Sequence, residues 1–347
     1  MATKNTKRSN VKKPIALALQ GGGMHGAFAW GVLDRLLEDG RLEIEGVSAT
    51  SAGAMNAAVL AYGLLKGDSE NARQALYDFW RAISQSAESY NPLRQMPWLK
   101  GSHSFGLDHS PLYLLADIIL RTLSPYQFNP HNKNPLREIL EQQVDFDELR
   151  QHCPIHLYLC ATNVETSKIR IFSGQDMRIE AVLASACLPT LFQAVEINGE
   201  HYWDGGYVGN PAIFPLIYHC STHDVVVVHI NPIVRPGVPT SPADILNRVN
   251  EVSFNSSLMR EMRAIAFVTE LIQKGKVDRG EMKEIFVHSI RSDQTMAALS
   301  VSSKYNADWD FLCSLRDKGR IEAEAWLEEN YHHIGRRSSI DIGREFL

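Results

Sequence analysis

The sequence predicts an α/β fold: a mostly parallel central sheet with helices on both faces, followed by a helical C-terminal extension. Three features point there. Short apolar runs alternate with segments of helical periodicity, the order that builds a parallel sheet covered on both sides. The run Asp224–Asn231 (DVVVVHIN) shows no apolar–polar alternation, as expected of a strand buried on both faces. Near the N-terminus, two small-residue turns each lead from a strand-like run into a helix-like one.

The elements follow in order. Residues 1–13 are polar and basic, and a disordered tail is expected there. Ile15–Leu19 is an apolar run ended by Gln20 and three glycines, which marks a buried strand. Ala27–Glu38 carries Phe28, Val32, Leu33, Leu36 and Leu37 at helical spacing, with Gly40 as its stop. Ile44–Thr50 reads as the second strand and Ala52–Leu65 as a helix of small residues. Ala72–Ile83 is an amphipathic helix with Leu76, Phe79 and Trp80 on one side. Ser84–Asn134 is rich in proline and aromatic residues, has one helical stretch at Leu112–Leu123, and is expected to be a lid or a packed insertion. Pro135–Gln143 is helical, Ile155–Val164 and Lys168–Ser173 are paired strands, and Ile179–Ser185 is a helix. Asn198–Gly199 joins Val195–Ile197 to Glu200–Trp203 as a hairpin. A long helix spans Pro242–Lys274, and its apolar stripe at Phe254, Leu258, Met262, Ile265, Val268, Leu271 and Ile272 reads as core. Ile285–Ile290 is the last strand and Ala307–Glu329 a terminal helix. The expected organisation is a domain over 14–235 with a mainly helical region, 236–347, packed on it.

Composition narrows the function. The 347 residues are 44% hydrophobic and 22% charged with a net charge of -5, an ordinary globular balance with no footprint for nucleic acid. Five cysteines are scattered without a CxxC pair, which suggests neither a disulfide framework nor a zinc site; reduced thiols in a cytoplasmic protein are expected. Gly46–Leu65 is uncharged and long enough to span a bilayer. Its Ser, Thr, Gly and Asn56 fit a buried strand–turn–helix better, so neither a membrane span nor a signal peptide is expected.

Three motifs carry chemistry. Gln20-Gly21-Gly22-Gly23-Met24-His25-Gly26 lies between a strand and a helix, where outward-turned amides and the helix dipole hold an anion, either a phosphate or an oxyanion. Such a loop equally serves a dinucleotide, but Thr50-Ser51 stands where that site needs an acidic residue at the end of the second strand. Ala49-Thr50-Ser51-Ala52-Gly53-Ala54 places a serine on a sharp strand-to-helix turn among small neighbours. That is either a nucleophile elbow or a helix N-cap. Trp203-Asp204-Gly205-Gly206, followed by Asn210-Pro211, presents a carboxylate on an uncrowded turn, or is a plain Asp-Gly turn.

In this order the motifs resemble the patatin-like phospholipase family, whose pattern is a glycine-rich loop, GxSxG, and DGG or DGA. Ala184-Ser185-Ala186-Cys187-Leu188-Pro189-Thr190-Leu191-Phe192 is similar to that family's ASxAxPxxF segment. The resemblance covers Ile15 to Ile230 and implies a three-layer fold and a serine acyl hydrolase acting on carboxyl esters of lipids. Ser51 is then the nucleophile and Asp204 its base, Gly21, Gly22 and Gly23 form the oxyanion hole, and Gly26, Gly53, Gly205 and Gly206 support the turns. It implies no metal or cofactor, an acyl-ester lipid as partner, transient contact with a membrane surface, and no nucleic acid. A non-catalytic lipid-binding protein of the same fold is the alternative.

One departure and one alternative bear on the substrate and mechanism. The family usually has Arg or Lys where this sequence has His25, and a neutral imidazole grips a phosphate less well; an exposed loop position for His25 is the plain alternative. A Ser–His–Asp triad in the order Ser, Asp, His would need His219, His223, His229 or His288. Residues 302–310 (SSKYNADWD) lie outside every motif.

Overall fold

The apolar run after Pro14 forms an interior strand of the sheet, β1 (Lys13–Leu19). The computed structural model describes residues 12–90, 122–278 and 280–347. A 3-10 turn at Gly23–His25 leads from β1 into α1 (Gly26–Asp39), which stops at Gly40 in the left-handed conformation (φ 69°) as its sequence predicts. β2 (Leu42–Ala49), α2 (Ala52–Lys66) and α3 (Ser69–Tyr90) follow. The chain continues through α4 (Pro125–Phe128), α5 (Pro135–Gln143), α6 (Phe146–His152), β3 (His156–Asn163) and β4 (Ile169–Phe172). Then come α7 (Ile179–Ser185), β5 (Val195–Ile197), β6 (Glu200–Asp204), α8 (Phe214–His219) and β7 (Asp224–Val228). The last elements are α9 (Pro242–Gln273), β8 (Phe286–Ile290), α10 (Asp293–Ala298), α11 (Trp309–Asn330) and α12 (Ile342–Phe346).

The strands run in the order β5-β6-β3-β2-β1-β7-β8, with β4 also paired to β3. The five strands from β3 to β8 along that path are parallel, while β4, β6 and β5 add antiparallel pairs at one side. The hairpin at Asn198–Gly199 has both residues at positive φ (56° and 82°), the primed turn its dipeptide calls for. The order reverses between β1 and β7, so the loops leaving the carboxyl ends of β1 and β2 open into the crevice where α/β sheets take their ligands.

Alternation along β1 sorts the core into two layers. Ile15, Leu17 and Leu19 face α1, α2, α3 and α11; Ala16 and Ala18 face Leu258, Met262 and Ile265 of α9. Of the stripe on α9, Leu258, Met262, Ile265 and Ile272 are buried, while Phe254, Val268 and Leu271 are half-buried. One local expectation changes. Helix α3 runs on to Tyr90 instead of ending at Ile83, because no breaker precedes Pro92. The stretch Leu112–Leu123 falls, save its last two residues, outside the described residues, as does most of the segment expected to be a lid or insertion.

Helix α11 crosses α1 at two glycines. A Cβ on Gly31 would overlap the Arg316 carbonyl, and one on Gly319 the Phe28 carbonyl. Backbone cannot swing aside as a side chain does, so Gly319→Ala is expected to cost roughly 3 kcal/mol, at the upper end for overpacking. Urea unfolding of wild type and variant measures it; a change within about 0.5 kcal/mol would show that the helices separate freely.

Candidate active site

Ser51 stands between β2 and α2 with φ 56° and ψ -123°, a conformation that a residue with a Cβ adopts only under strain. It occupies the N-cap position of α2, yet its side chain caps nothing. Of the two readings of this serine, the capping one is therefore set aside. The turn is held on three sides. Thr50 N–H donates to the Leu19 carbonyl (3.2 Å), Thr50 Oγ1 donates to the Gly209 carbonyl (2.7 Å), and Ser51 N–H donates to Ser185 Oγ (3.0 Å). Glycine is required at 53, where a Cβ would come within 2.5 Å of the Leu19 carbonyl oxygen, and Gly26 lets α1 approach Ala52.

Strand register brings Asp204 to the same edge. Ala49 lies opposite Leu159 on β3, and Ala161, two residues further along that strand, pairs with Asp204 on β6. The segment Ser185–Cys187 clamps both residues: it accepts Ser51 N–H through Ser185 Oγ, and Asp204 N–H through the Cys187 carbonyl (2.8 Å). Asp204 is fully buried. Its Oδ1 accepts the Gly206 N–H at 2.7 Å, and Gly205 packs against the Cys160 carbonyl. Burial pushes the Asp204 pKa up to about 7, while the Gly206 N–H and the Ser51 hydroxyl draw it partly back down. Oδ2 has no close, well-angled partner, so the approach of Ser51 to Asp204 is looser than the Gly206 bond. Such slack is usual before a substrate is bound.

The glycine loop divides its work. A Cβ on Gly21 would lie 2.5 Å from Ser51 Cβ, so only glycine lets the loop lie against the elbow. The Gly21 N–H, however, donates to Asn210 Oδ1 at 2.7 Å, and its carbonyl accepts from Asn231 Nδ2 at 2.8 Å. This amide is already committed, which corrects the expectation that Gly21 donates to an oxyanion. Gly22 and Gly23 N–H make no hydrogen bond among the described residues, and they begin the turn that runs into α1. Gln20 anchors the loop from below: Oε1 accepts from Ile230 N–H and Asn231 N–H, and Nε2 donates to the Asn210 carbonyl and Asn255 Oδ1. Sequence reasoning missed this set of amides, since no spacing ties residues 20, 210, 231 and 255 together. Asn210→Ala leaves the buried Gly21 donor unpaired; a loss of about 1–3 kcal/mol in stability and slower reaction of Ser51 with an active-site probe are expected, read by urea melts and labelling rate.

Ser51 opens into a cavity of about 330 Å³ whose walls include Met24, Met55, Phe79, Trp80, Leu136 and Phe192. That is the size and apolar lining of a small-ligand site. A larger surface hollow, of about 660 Å³ and bordered by Glu141 and Arg150, holds none of these residues. His25 is buried, not exposed, and its Nε2 lies 2.7 Å from Ser303 Oγ. Burial first, then the charges of Lys304 and Arg235, push its pKa down to about 3, so the ring is neutral. Among the described residues no histidine is bonded to Asp204 or Ser51. His288 Nε2 pairs with Asp224 Oδ1 at 2.9 Å, His229 lies beside Phe346, His219 stacks on Tyr158, and His223 Nδ1 meets the Glu284 carbonyl.

A mostly parallel sheet thus carries a strained serine turn and a buried aspartate at one edge. The family model described as patatin-like phospholipase matches residues 17–217. The chain belongs to the patatin-like phospholipase family, and lipid acyl hydrolysis is the general chemistry of that class. Among solved structures it is similar to VipD from Legionella pneumophila, at 16% identity and a TM-score of 0.35, covering 92% of this chain and 75% of that one. It is also similar to full-length ExoU from Pseudomonas aeruginosa, solved in complex with SpcU, at 15% identity and a TM-score of 0.30, covering 88% of this chain and 53% of that one. No curated protein sequence matches the chain. Among the described residues no helix is long and apolar enough to cross a membrane, and no group of three or more His, Cys, Asp or Glu could hold a metal ion.

Proposed function

We propose that this protein hydrolyses carboxyl esters of lipids through a Ser51–Asp204 dyad and an acyl-enzyme. The observation that carries the reading is the strained Ser51 turn set beside a buried carboxyl of pKa about 7, at the foot of an apolar cavity. A serine hydroxyl is inert without a base in reach, and an ordinary carboxylate is a weak base. Lifting the Asp204 pKa toward neutrality makes it a better one while still leaving it ionised in part at pH 7.

In the proposed sequence Asp204 takes the hydroxyl proton as Ser51 Oγ bonds to the ester carbon. The carbonyl oxygen becomes an oxyanion facing the Gly22 and Gly23 amides, whose contribution is of the order of 3–4 kcal/mol per donor in such sites. The ester C–O bond breaks, Asp204 returns its proton to the leaving alcohol, and the acyl group stays on Ser51. Water then attacks the acyl-enzyme as Asp204 takes its proton; the bond from the acyl carbon to Ser51 Oγ breaks, the proton passes from Asp204 to Oγ, and the fatty acid is released. The acyl chain lies in the apolar cavity, and the protein meets its substrate at a membrane or micelle surface. The catalytic unit we propose is residues 14–235, with the C-terminal segment 302–307 contributing to the cavity wall.

The test is a panel of phospholipids, lysophospholipids and neutral glycerides, with products resolved by mass spectrometry, run beside labelling by a fluorophosphonate. Release of free fatty acid together with labelling at Ser51 is expected. A protein that neither labels nor releases fatty acid from any member of the panel would end the reading.

A further inference from the structure

Residues 302–307 reach the cavity from far along the chain and lie beside the glycine loop. A Cβ on Gly23 would sit 2.6 Å from the Lys304 carbonyl oxygen and 3.5 Å from Lys304 Cβ. Lys304 is the one charged residue among the described residues that line the cavity; most of its neighbours on that wall are apolar. Among the described residues its ammonium has one hydrogen-bond partner, the neutral Asn247 Oδ1, at 3.4 Å.

The acid whose charge it feels, Glu251, is already engaged. Glu251 Oε1 and Oε2 accept Arg235 Nη2 (2.7 Å) and Nε (3.0 Å), and Arg248 Nη1 and Asn247 Nδ2 donate to it at 3.2 Å each. Among the described residues no carboxylate lies within ion-pair distance of Lys304. Three cations thus gather around one carboxylate, and one of them, Lys304, belongs to a residue that lines the cavity. Burial lowers the Lys304 pKa first, Glu251 opposes this, and Arg235 adds to it. A cation so placed gains from an anion that a neutral ester does not bring.

We propose that Lys304 is the specificity residue of this site: its ammonium binds a phosphate group carried on the alcohol side of the acyl ester, while the ester carbonyl lies between Ser51 and the amides of Gly22 and Gly23. This rests on the acyl-hydrolase reading for the identity of the ester but not for the binding itself. The buried, neutral His25 leaves the grip on phosphate to a residue from outside the motif-bearing region.

The deciding experiment measures binding with ether lipids that have no ester to cleave. 1-O-hexadecylglycerol 3-phosphate and uncharged 1-O-hexadecylglycerol are titrated, in neutral detergent micelles, into wild type, Lys304→Met and Lys304→Arg. Wild type is expected to prefer the phosphate lipid by about tenfold or more, the value of one charge-assisted hydrogen bond. Lys304→Met should bring the preference to within about twofold of unity, and Lys304→Arg should restore most of it. Equal binding of the two lipids by wild type, or a preference that survives in Lys304→Met, would overturn the proposal; so would glycerol 3-phosphate alone binding as tightly as the phosphate lipid. Because the readout is binding, it decides on Lys304 even if every ester in the lipid panel goes uncleaved, an outcome that would count against the hydrolase reading instead.

Discussion

Ser51→Ala is expected to lower hydrolysis of lipid esters and p-nitrophenyl acyl esters by about 10⁴-fold or more, the loss seen when a hydrolase loses its nucleophile. Fluorophosphonate labelling should vanish with it. Stability should change little, because the hydroxyl caps no helix and its one described role is to face Asp204. Ser51→Gly sharpens the point. With φ at 56° and ψ at -123°, the serine backbone carries strain of about 1–3 kcal/mol that glycine does not feel. The glycine variant is expected to be equally inactive and at least as stable as Ser51→Ala, as measured by paired urea melts and initial rates. Wild-type turnover by either variant would remove Ser51 from the mechanism.

Asp204→Asn is expected to cost about 10³-fold or more in kcat and to change the pH dependence of stability. In wild type the base must be ionised, so kcat/KM should rise with pH and level off above the folded pKa of about 7. Stability moves the other way. Where a carboxyl pKa is raised by folding, the unfolded chain ionises first, so stability is lost as pH climbs from the ordinary value of 3.8 to about 7, and no further loss follows above that. Each pKa unit corresponds to about 1.4 kcal/mol, so the asparagine variant, free of this penalty, should gain a few kcal/mol on wild type between pH 4 and pH 8. The Gly206 N–H keeps its acceptor in the amide oxygen. Urea melts of the two proteins at pH 4.5 and pH 8 measure the gain. A gap that does not widen with pH, or a rate profile flat from pH 5 to pH 8, would mean that Asp204 is not the titrating base.

Much of the architecture was legible because the sheet is buried on both faces. Ile15–Leu19 and the valines of 225–228 have no polar face to confuse the pattern, and the Asn198–Gly199 turn has one favourable geometry. Short polar elements were not. Helix α6 (Phe146–His152) is started by Asp145, which accepts the Asp147 and Glu148 amides, but seven mixed residues give periodicity too little length to register. The end of α3 was set too early for the opposite reason: the proline-rich composition after Ser84 outweighed a helical stretch that continues to Tyr90.

The candidate site divides in the same way. Ser51, Asp204 and the glycines stand out by residue type and order. Yet an N-cap and a nucleophile elbow ask the same thing of local sequence, a small polar residue where a helix begins, and only the positive φ and the uncapped helix separate them. Whether a glycine amide faces the cavity or an asparagine depends on a residue 189 positions away, as Gly21 and Asn210 show.

The sequence by itself determined the layered sheet, the turn chemistry and the short roster of reactive residues, since these follow from local periodicity, backbone preference and side-chain type. Tertiary structure alone decided that Ser185 and Cys187 hold the two ends of the candidate dyad, that Gly21 is spent on Asn210, and that Lys304 stands in the cavity wall. The physical reason is that hydrogen-bond partners and the burial that shifts a pKa are set by which distant segments pack together, and no single stretch of chain encodes that.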